Sequence, residues 1–372
     1  MKLFQCQCCG QVLHFENTTC LRCGRAIGYL PEDDRMVAVE ADGATWAVAT
    51  ATGTAPDARR WRFCRNWELS ACNWMVEVAE ADNPAHHDFC LACQHNRTVP
   101  DLSDPLNLLR WQKIEAAKRR LIYTLRRMRL PLPVPGDGHP EPLVFDFLAD
   151  APGTGRVLTG HDDGVVTIAL TEADDAQREQ MRTDMQEAYR TLLGHFRHEV
   201  GHYYWDILVR DGGHLDAFRA AFGDESADYA ESLQRHYQTG APAGWENDHV
   251  SAYATMHPWE DWAETWAHYL HMVDTLETAS SLGIRVEPEI DEDGELSAEI
   301  DFDPYRVRRA KRLIAAWRPL TVALNALNRS MGQPDLYPFT LPDPVQAKLG
   351  FVHDLVSAQR VAATAPPAPP AG

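Results

Sequence analysis

The sequence predicts an α+β protein in which a cysteine-rich head precedes a larger domain of strands and helices. All nine cysteines lie before residue 94, and 45% of the 372 residues are hydrophobic, enough for two or three domains. Runs of β-branched and aromatic residues at 143–148 and 165–170 predict strands. Helical patterns at 304–330 and 344–362 predict a mostly helical C-terminal part.

Two CxxC pairs open the chain, and each is followed by a glycine, Gly10 or Gly24. Glycine allows the tight turn that directs backbone N–H groups at thiolate sulfur. We therefore predict a zinc-ribbon-like module with one structural zinc and four thiolate ligands: Cys6, Cys9, Cys20 and Cys23. Cys8 is a spare that could replace Cys9 or stay a free thiol.

A second, less regular set of cysteines follows, with one further CxxC pair. It predicts a second structural zinc with these four ligands: Cys64, Cys72, Cys90 and Cys93. His86, His87 and His95 are nearby alternatives. A disulfide framework is the competing interpretation, but the first residues contain no apolar signal segment, so we expect a reducing, cytoplasmic location.

The head is expected to be structural or to bind a protein partner. A structural zinc can supply on the order of 10 kcal/mol to a segment too short to fold alone. A basic and aromatic run at 59–65 could contact nucleic acid. The net charge of −19 repels a polyanion, however, so a nucleic-acid partner is not expected.

The chain divides by pattern into four segments. Residues 1–100 form the zinc head, and residues 101–139 contain a basic amphipathic helix over 106–129 and a proline-rich linker. Residues 140–362 form the larger domain, and residues 363–372 are an Ala/Pro tail that we expect to be disordered. No apolar run approaches the length of a membrane span.

The most informative motif is His198-Glu199-Val200-Gly201-His202. In a helix, two histidines four residues apart lie about 6 Å apart along the axis and roughly 40° apart around it, so both imidazoles can reach one metal ion. Glu199 lies beside that metal, where it can take a proton from a zinc-bound water. Asp174 and Asp175 are expected to cap the long helical run that leads to this motif.

A catalytic zinc needs a third protein ligand. Leu208 stands six residues after His202, which excludes the class with a third histidine there. A second helix, starting near Pro258, carries Glu260 and Glu264 on one face beside three tryptophans: Trp259, Trp262 and Trp266. The three tryptophans indicate that this helix is buried, and buried carboxylates need a cation nearby. Glu260 is therefore the predicted third ligand.

Two further carboxylates could orient the ligand histidines. Glu264 is placed to accept the free ring N–H of one of them, and Asp206 could serve the other. Three histidines remain possible substitute ligands: His257, His268 and His271. Residues 211–256 form an insert between the two ligand helices that could cover the cleft, and residues 286–303 are expected to form an exposed hairpin.

These motifs resemble those of a known family. The motif at 198–202, followed by Ser251-x-Tyr253-x6-Glu260-x3-Glu264, is similar to the glutamate-zincin peptidases, most closely to the catalytic domain of anthrax lethal factor, over residues 140–275. With its cysteine-rich head, the chain resembles bacterial zinc-binding metallopeptidases that carry an N-terminal zinc ribbon. The resemblance implies a zincin-like domain of mixed sheet and active-site helices, in which Tyr253 stabilises the transition state.

The resemblance also implies that the strand at 165–170 is a sheet edge on which an extended peptide substrate pairs. The expected function is that of a zinc-dependent peptidase that acts on peptides or proteins through a zinc-activated water, with Glu199 as general base. One catalytic and two structural zinc ions are expected. The alternative is a zinc-ribbon binding or adaptor protein with an inactive or tightly restricted peptidase domain.

Overall fold

A computed structural model describes residues 1–51, 53–54, 59–78, 88–150, 155, 157–184 and 189–362. These residues form two compact units. The N-terminal unit comprises residues 1–123 and 133–178, and the C-terminal unit comprises residues 124–132 and 179 onward. The predicted segment borders at residues 100 and 139 remain predictions. The alternative ligands His86 and His87 and the predicted disordered tail lie outside the described residues.

Short strands dominate the N-terminal unit. In chain order they are β1 (Phe4–Gln5), β2 (Val12–Leu13), β3 (Ala26–Leu30), β4 (Arg35–Asp42), β5 (Thr45–Thr50), β6 (Gly53–Thr54), β7 (Arg60–Phe63), β8 (Met75–Val78), β9 (Asn96–Thr98), β10 (Val144–Leu148), β11 (Gly160–Asp162) and β12 (Val165–Ala169). Strands β1 and β2 form an antiparallel hairpin, and β3-β4-β5-β7-β8 form an antiparallel sheet, with β6 paired to β5. Trp61 and Met75 lie in the apolar core of that sheet.

A second sheet in the same unit has the strand order β11-β12-β10-β9. Strand β10 pairs in parallel with both β12 and β9, and β11 pairs with β12 in antiparallel fashion. The predicted strand at 165–170 therefore exists, but the expectation that it is a sheet edge is wrong. Strand β12 is paired with β10 on one side and, over residues 165–167, with β11 on the other, so β11 and not β12 is the outer strand among the described residues.

Helices are numbered along the whole chain. They are α1 (Leu91–Gln94), α2 (Pro105–Arg127), α3 (Asp175–Asp184), α4 (Leu192–Trp205), α5 (Leu215–Phe222), α6 (Tyr229–Thr239), α7 (Pro258–Leu282), α8 (Ala310–Ser330) and α9 (Asp343–Ala362). The basic helix predicted at 106–129 is confirmed as α2, and the two predicted C-terminal helices are confirmed as α8 and α9. The predicted hairpin at 286–303 is confirmed as a short antiparallel pair, β13 (Arg285–Val286) and β14 (Ala298–Glu299).

The core of the C-terminal unit is built around α7, which packs against α4, α8 and α9. Two tryptophans of its predicted apolar stripe, Trp262 and Trp266, are completely buried, and the third, Trp259, is partly buried. The single helical run expected from Asp175 to the histidine motif is wrong. Residues 189–191 are not helical, and α4 begins separately with Thr191 as its N-cap, whose Oγ1 accepts a hydrogen bond from the Gly194 backbone N–H at 3.0 Å.

Candidate metal centres

The first four predicted cysteine ligands lie together in the N-terminal unit. The Sγ atoms of Cys6 and Cys23 are 3.8 Å apart, and those of Cys9 and Cys20 are 3.5 Å apart. Four sulfurs placed about 2.3 Å from one zinc are about 3.8 Å from each other, whereas a disulfide brings two sulfurs to about 2.05 Å. The spacing therefore fits a tetrahedral metal and excludes disulfides between these pairs. Cys8 is not part of this group.

The glycines after the two CxxC pairs adopt the expected conformation. Gly10 and Gly24 have φ values of +74° and +73°, in the left-handed region that favours glycine. Their backbone N–H groups donate to the carbonyl oxygens of Cys6 and Cys20 at 2.9 and 2.8 Å. Each turn thus closes over one cysteine pair.

The second predicted set is more deeply buried, since all four of its cysteines are buried. The Sγ atoms of Cys72 and Cys90 are 3.6 Å apart, and the Trp74 backbone N–H donates to Cys72 Sγ at 3.4 Å. Burial raises the pKa of the Cys90 thiol well above its ordinary value. Four buried sulfurs can become thiolates together only beside a cation, so this group also fits a structural zinc. His95 instead lies 2.7 Å from the Leu143 carbonyl oxygen.

The third group lies in the C-terminal unit and contains His198, His202 and Glu260. The two imidazole rings, one helical turn apart on α4, have centroids 5.0 Å apart. Glu260 stands in the first turn of α7, which begins at Pro258 as predicted and has His257 as its N-cap. Helices α4 and α7 therefore present all three candidate ligands to one point.

Close contact between α4 and α7 depends on Gly201, inside the histidine motif. A Cβ atom at this position would lie 3.1 Å from the Ala263 Cα and 3.2 Å from the Trp266 ring. The Trp262 indole N–H donates to the Gly201 carbonyl oxygen at 2.7 Å. A buried ion pair between Arg197 and Asp274, at 2.5 Å, joins the same two helices.

The distances within the third group are close to the edge length of a zinc tetrahedron, with each histidine facing a different oxygen of Glu260. His198 Nε2 lies 3.0 Å from Glu260 Oε2, and His202 Nε2 lies 3.5 Å from Glu260 Oε1. Ligands about 2.05 Å from a tetrahedral zinc are about 3.4 Å from one another. Two imidazoles and one carboxylate are a ligand set that zinc enzymes use, with a fourth position left for water.

Glu264 contacts the ring nitrogen of His198 that faces away from Glu260. Glu264 Oε1 lies 2.7 Å from His198 Nδ1, and Glu264 Oε2 accepts a hydrogen bond from Ser251 Oγ at 2.6 Å. A carboxylate opposite Nδ1 favours a proton on that nitrogen, so Nε2 is the ring nitrogen that remains for Glu260 Oε2 or a metal. The short distance between Nε2 and Oε2 requires a proton or a metal ion between these two atoms.

The electrostatics of the group agree with a cation site. Burial disfavours a charged His198, but its hydrogen bonds with Glu260 and Glu264 outweigh burial and raise its pKa well above the ordinary value. Burial likewise opposes ionisation of Glu260, yet the charge of His202 and the contact with His198 hold the pKa of this carboxyl well below its usual range. The carboxylates thus create strong negative potential at the point where the ligand atoms meet.

Glu199 and Tyr253 lie at the same site. Glu199 is buried, and burial raises the pKa of its carboxyl. The ring of Tyr253 lies 6.0 Å from the ring of His198, and burial raises the pKa of its phenol, which keeps the O–H as a donor. The ring of Trp259 covers His202, with centroids 3.8 Å apart.

Other predicted residues have different surroundings. Asp206 Oδ1 accepts from Arg210 Nη1 at 2.9 Å, and its predicted role toward a ligand histidine remains a prediction. The three substitute histidines stand outside the ligand group. His257 caps α7, His268 Nδ1 lies 2.7 Å from the Tyr337 hydroxyl, and His271 packs against the Tyr337 ring at 5.5 Å.

One residue of this site, Tyr229, was not predicted from the sequence. It belongs to the insert between the ligand helices. Its hydroxyl donates to Glu260 Oε1 at 2.8 Å. Ser251 was part of the recognised spacing, but its bond to Glu264 was not foreseen. No local pattern marks Tyr229, because it lies 31 positions before its partner; only the predicted proximity of the insert to the cleft pointed toward it.

The basic segments carry paired charges. In the run at 59–65, Arg59 contacts Asp33 at 3.0 Å and Arg60 contacts Asp42 at 2.8 Å. Basic side chains of α2 also face acids: Arg110 with Asp174 at 3.2 Å, Lys113 with Asp175 at 3.0 Å and Arg120 with Glu16 at 2.6 Å. Phosphate binding would compete with these contacts, which weakens the case for nucleic acid.

Comparison with known proteins identifies the class. Residues 107–355 match the family described as "Putative zinc-binding metallo-peptidase", and residues 3–104 match a zinc-ribbon domain. The chain belongs to this metallopeptidase family and carries an N-terminal zinc ribbon. The family and the cysteine groups together indicate zinc as the metal.

Similar proteins occur in mycobacteria. An uncharacterized protein of Mycobacterium tuberculosis and one of Mycobacterium bovis are each 40% identical to this chain over 358 residues, which is 96% of this chain and 95% of theirs. Their names state no activity. No solved structure matches the chain. Among the described helices, none combines the length and hydropathy that a bilayer span requires.

Proposed function

We propose that the protein is a zinc-dependent peptidase of the glutamate-zincin type, with His198, His202 and Glu260 as ligands of the catalytic metal. The observation that carries the proposal is the convergence of the three side chains: His198 Nε2 lies 3.0 Å from Glu260 Oε2 and His202 Nε2 lies 3.5 Å from Glu260 Oε1, so all three groups can reach one zinc ion. Membership of a zinc-binding metallopeptidase family supports the same conclusion. The likeness to anthrax lethal factor rests on the spacing of Ser251, Tyr253, Glu260 and Glu264.

The chemistry follows from the environment of each side chain. A zinc ion bound here would polarise the scissile carbonyl and make water at the site more acidic. Glu199 accepts a proton from the attacking water and returns it to the leaving amine, and its raised pKa suits both steps. The Tyr253 hydroxyl donates to the carbonyl oxygen as negative charge develops on it. Glu264 keeps the His198 ring in the ligating tautomer.

The two cysteine groups would each hold a structural zinc, which gives three metal ions per chain. Their four-sulfur donor sets leave no position for a substrate or a water. A buried set such as Cys64, Cys72, Cys90 and Cys93 stabilises the folded state only when a metal is bound, because the thiols then become thiolates.

The low solvent exposure of the candidate metal ligands favours a second candidate function. His202 and Glu260 are only 3% and 2% exposed, and Tyr229 of the insert lies against the ligand carboxylate. Such a covered site suits a tightly restricted peptidase or a binding protein that retains the metal. A partner or substrate that displaces the insert would then control access.

Cleavage of a diverse synthetic peptide library by the full chain tests the proposal. The wild type should produce new termini that mass spectrometry detects, and removal of metal by a chelator should stop cleavage. Glu199→Ala should retain its metal and lose turnover, since only the proton acceptor is removed. Measurable cleavage by Glu199→Ala would contradict this mechanism, and a metal-loaded wild type that cleaves nothing would favour the binding protein.

A further inference from the structure

Tyr229 contacts one oxygen of the candidate ligand Glu260. The phenol O–H donates to Oε1 at 2.8 Å, while Oε2 of the same carboxylate lies 3.0 Å from His198 Nε2. Glu260 is 2% exposed, so water has little access to either oxygen. Oε1 also lies 3.5 Å from His202 Nε2, but it is the oxygen that accepts the phenol O–H, whereas Oε2 accepts no hydrogen bond from the described residues.

The position of Tyr229 is itself fixed by the surrounding structure. It is the first residue of α6, whose N-cap Asp228 accepts from the Glu231 backbone N–H at 2.8 Å. Its ring packs against His257 and Trp259, with centroids 5.4 and 6.1 Å away. The hydroxyl thus reaches Glu260 from a rigid helix start rather than from a free loop.

His257 ties this helix start to the helix that carries Glu260. Its Nδ1 accepts from the Trp259 backbone N–H at 3.1 Å, which leaves the proton on Nε2. Nε2 then donates to the Ala227 carbonyl oxygen at 3.0 Å, two residues before Tyr229. One imidazole thus holds the beginnings of α6 and α7 together, and with them the bond between Tyr229 and Glu260.

A carboxylate can bind a metal through one oxygen or through both. A hydrogen bond to one oxygen orients the group and favours binding through the other. We infer that Tyr229 is a positioning residue that holds Glu260 so that it ligates the metal through Oε2 alone. This inference rests on the proposed function, because it takes Glu260 to be a ligand. Binding through one oxygen gives three protein ligand atoms and leaves the fourth position open for water and substrate.

The test uses the full chain after a chelator has removed the weakly held metal, and compares Tyr229→Phe with wild type. Phenylalanine keeps the ring contacts and removes only the O–H group. Zinc affinity is measured by competition with a chromophoric chelator. The same protein is then loaded with Co²⁺, whose visible absorption reports coordination number, and the spectrum of an identically treated His198→Ala, His202→Ala variant is subtracted.

We expect Tyr229→Phe to weaken zinc binding by roughly ten- to a hundredfold. Its Co²⁺ absorption should also weaken, as Oε1 becomes free to bind and four-coordinate metal becomes five-coordinate. Tyr237→Phe is the matched control, because Tyr237 lies on the same helix with 67% of its surface exposed. This variant should behave as wild type.

The outcomes distinguish a failure of this inference from a failure of the proposed function. If Tyr229→Phe matches wild type in affinity and spectrum, the inference is overturned and the proposed function stands. Weaker binding with an unchanged spectrum also overturns it, because the hydroxyl would then act only through stability. If wild type takes up no more Co²⁺ than the histidine double variant, the proposed function and this inference both fail.

Discussion

The Oε1 atom of Glu264 lies 2.7 Å from the Nδ1 atom of His198 and links a half-buried carboxylate of α7 to a candidate ligand of α4. The second oxygen of Glu264 is occupied by the Ser251 hydroxyl at 2.6 Å. With both oxygens engaged, the carboxylate has one orientation, and so has the imidazole that it contacts. The ring is thereby prepared to bind metal through Nε2.

Replacement of Glu264 should therefore weaken the catalytic metal site. Glu264→Gln keeps the size of the side chain but removes the negative charge, and we expect zinc affinity to fall about ten- to a hundredfold. Competition with a chromophoric chelator measures this change. Glu289→Gln, at an exposed carboxylate, is the control. Equal affinities for Glu264→Gln and wild type would mean that Glu264 does not support the ligand.

A side chain at position 201 should lower the stability of the protein. In Gly201→Ala the new Cβ would lie 3.1 Å from the Ala263 backbone, so α4 and α7 must move apart. We expect the free energy of unfolding to fall by about 1–3 kcal/mol. Chemical denaturation measures this value. Gly350→Ala in α9 is a matched control with open space around the new methyl group, and it should stabilise the helix by roughly 0.5–1 kcal/mol. A Gly201→Ala variant as stable as Gly350→Ala would contradict the close contact.

These positions show which features local sequence could predict. The grouping of each cysteine set and of the two histidines could be predicted because these residues are close in sequence or occur in clear CxxC pairs. The approach of Glu260 to the two histidines could be predicted because Glu260 and Glu264 share a helix face. The order of β11, β12 and β10 was missed because strand pairing depends on contacts distant in sequence. The predicted single helical run is wrong because two caps are used: Asp174 Oδ1 accepts from the Ala176 backbone N–H at 3.1 Å and caps α3 as predicted, and Thr191 starts α4 anew.

Tyr253 should affect the reaction rather than the metal. Its hydroxyl is proposed to donate to the developing oxyanion, so Tyr253→Phe should lower turnover by roughly ten- to a thousandfold. Zinc affinity should stay at the wild-type value, in contrast to Tyr229→Phe. Steady-state kinetics on a cleaved library peptide, with a metal analysis of the same sample, measures both quantities. An unchanged rate would remove Tyr253 from the site.

His268 should make the protein sensitive to acid. Burial lowers the pKa of this histidine to about 4, whereas its unfolded value is about 6.5. Between pH 6.5 and pH 4, His268 binds more protons in the unfolded state than in the folded state. The free energy of unfolding therefore falls as the pH is lowered, by about 2 kcal/mol between pH 6.5 and pH 5.

His268→Gln tests this contribution, because an amide can still bond the Tyr337 hydroxyl but does not titrate. Chemical denaturation at pH 7 and pH 5 should give the variant a smaller loss of stability than wild type. The comparison removes the effect of other titrating groups, which both proteins share. The same loss in both proteins would show that His268 is not the group responsible.

The most direct test of the proposed zinc site is the number of zinc ions bound per chain. Elemental analysis measures this number in the wild type and in the His198→Ala, His202→Ala double variant. We expect three zinc ions in the wild type and two in the variant, because the two cysteine groups keep theirs. Two zinc ions in both proteins would contradict the proposed function, since the histidine motif would then hold no metal.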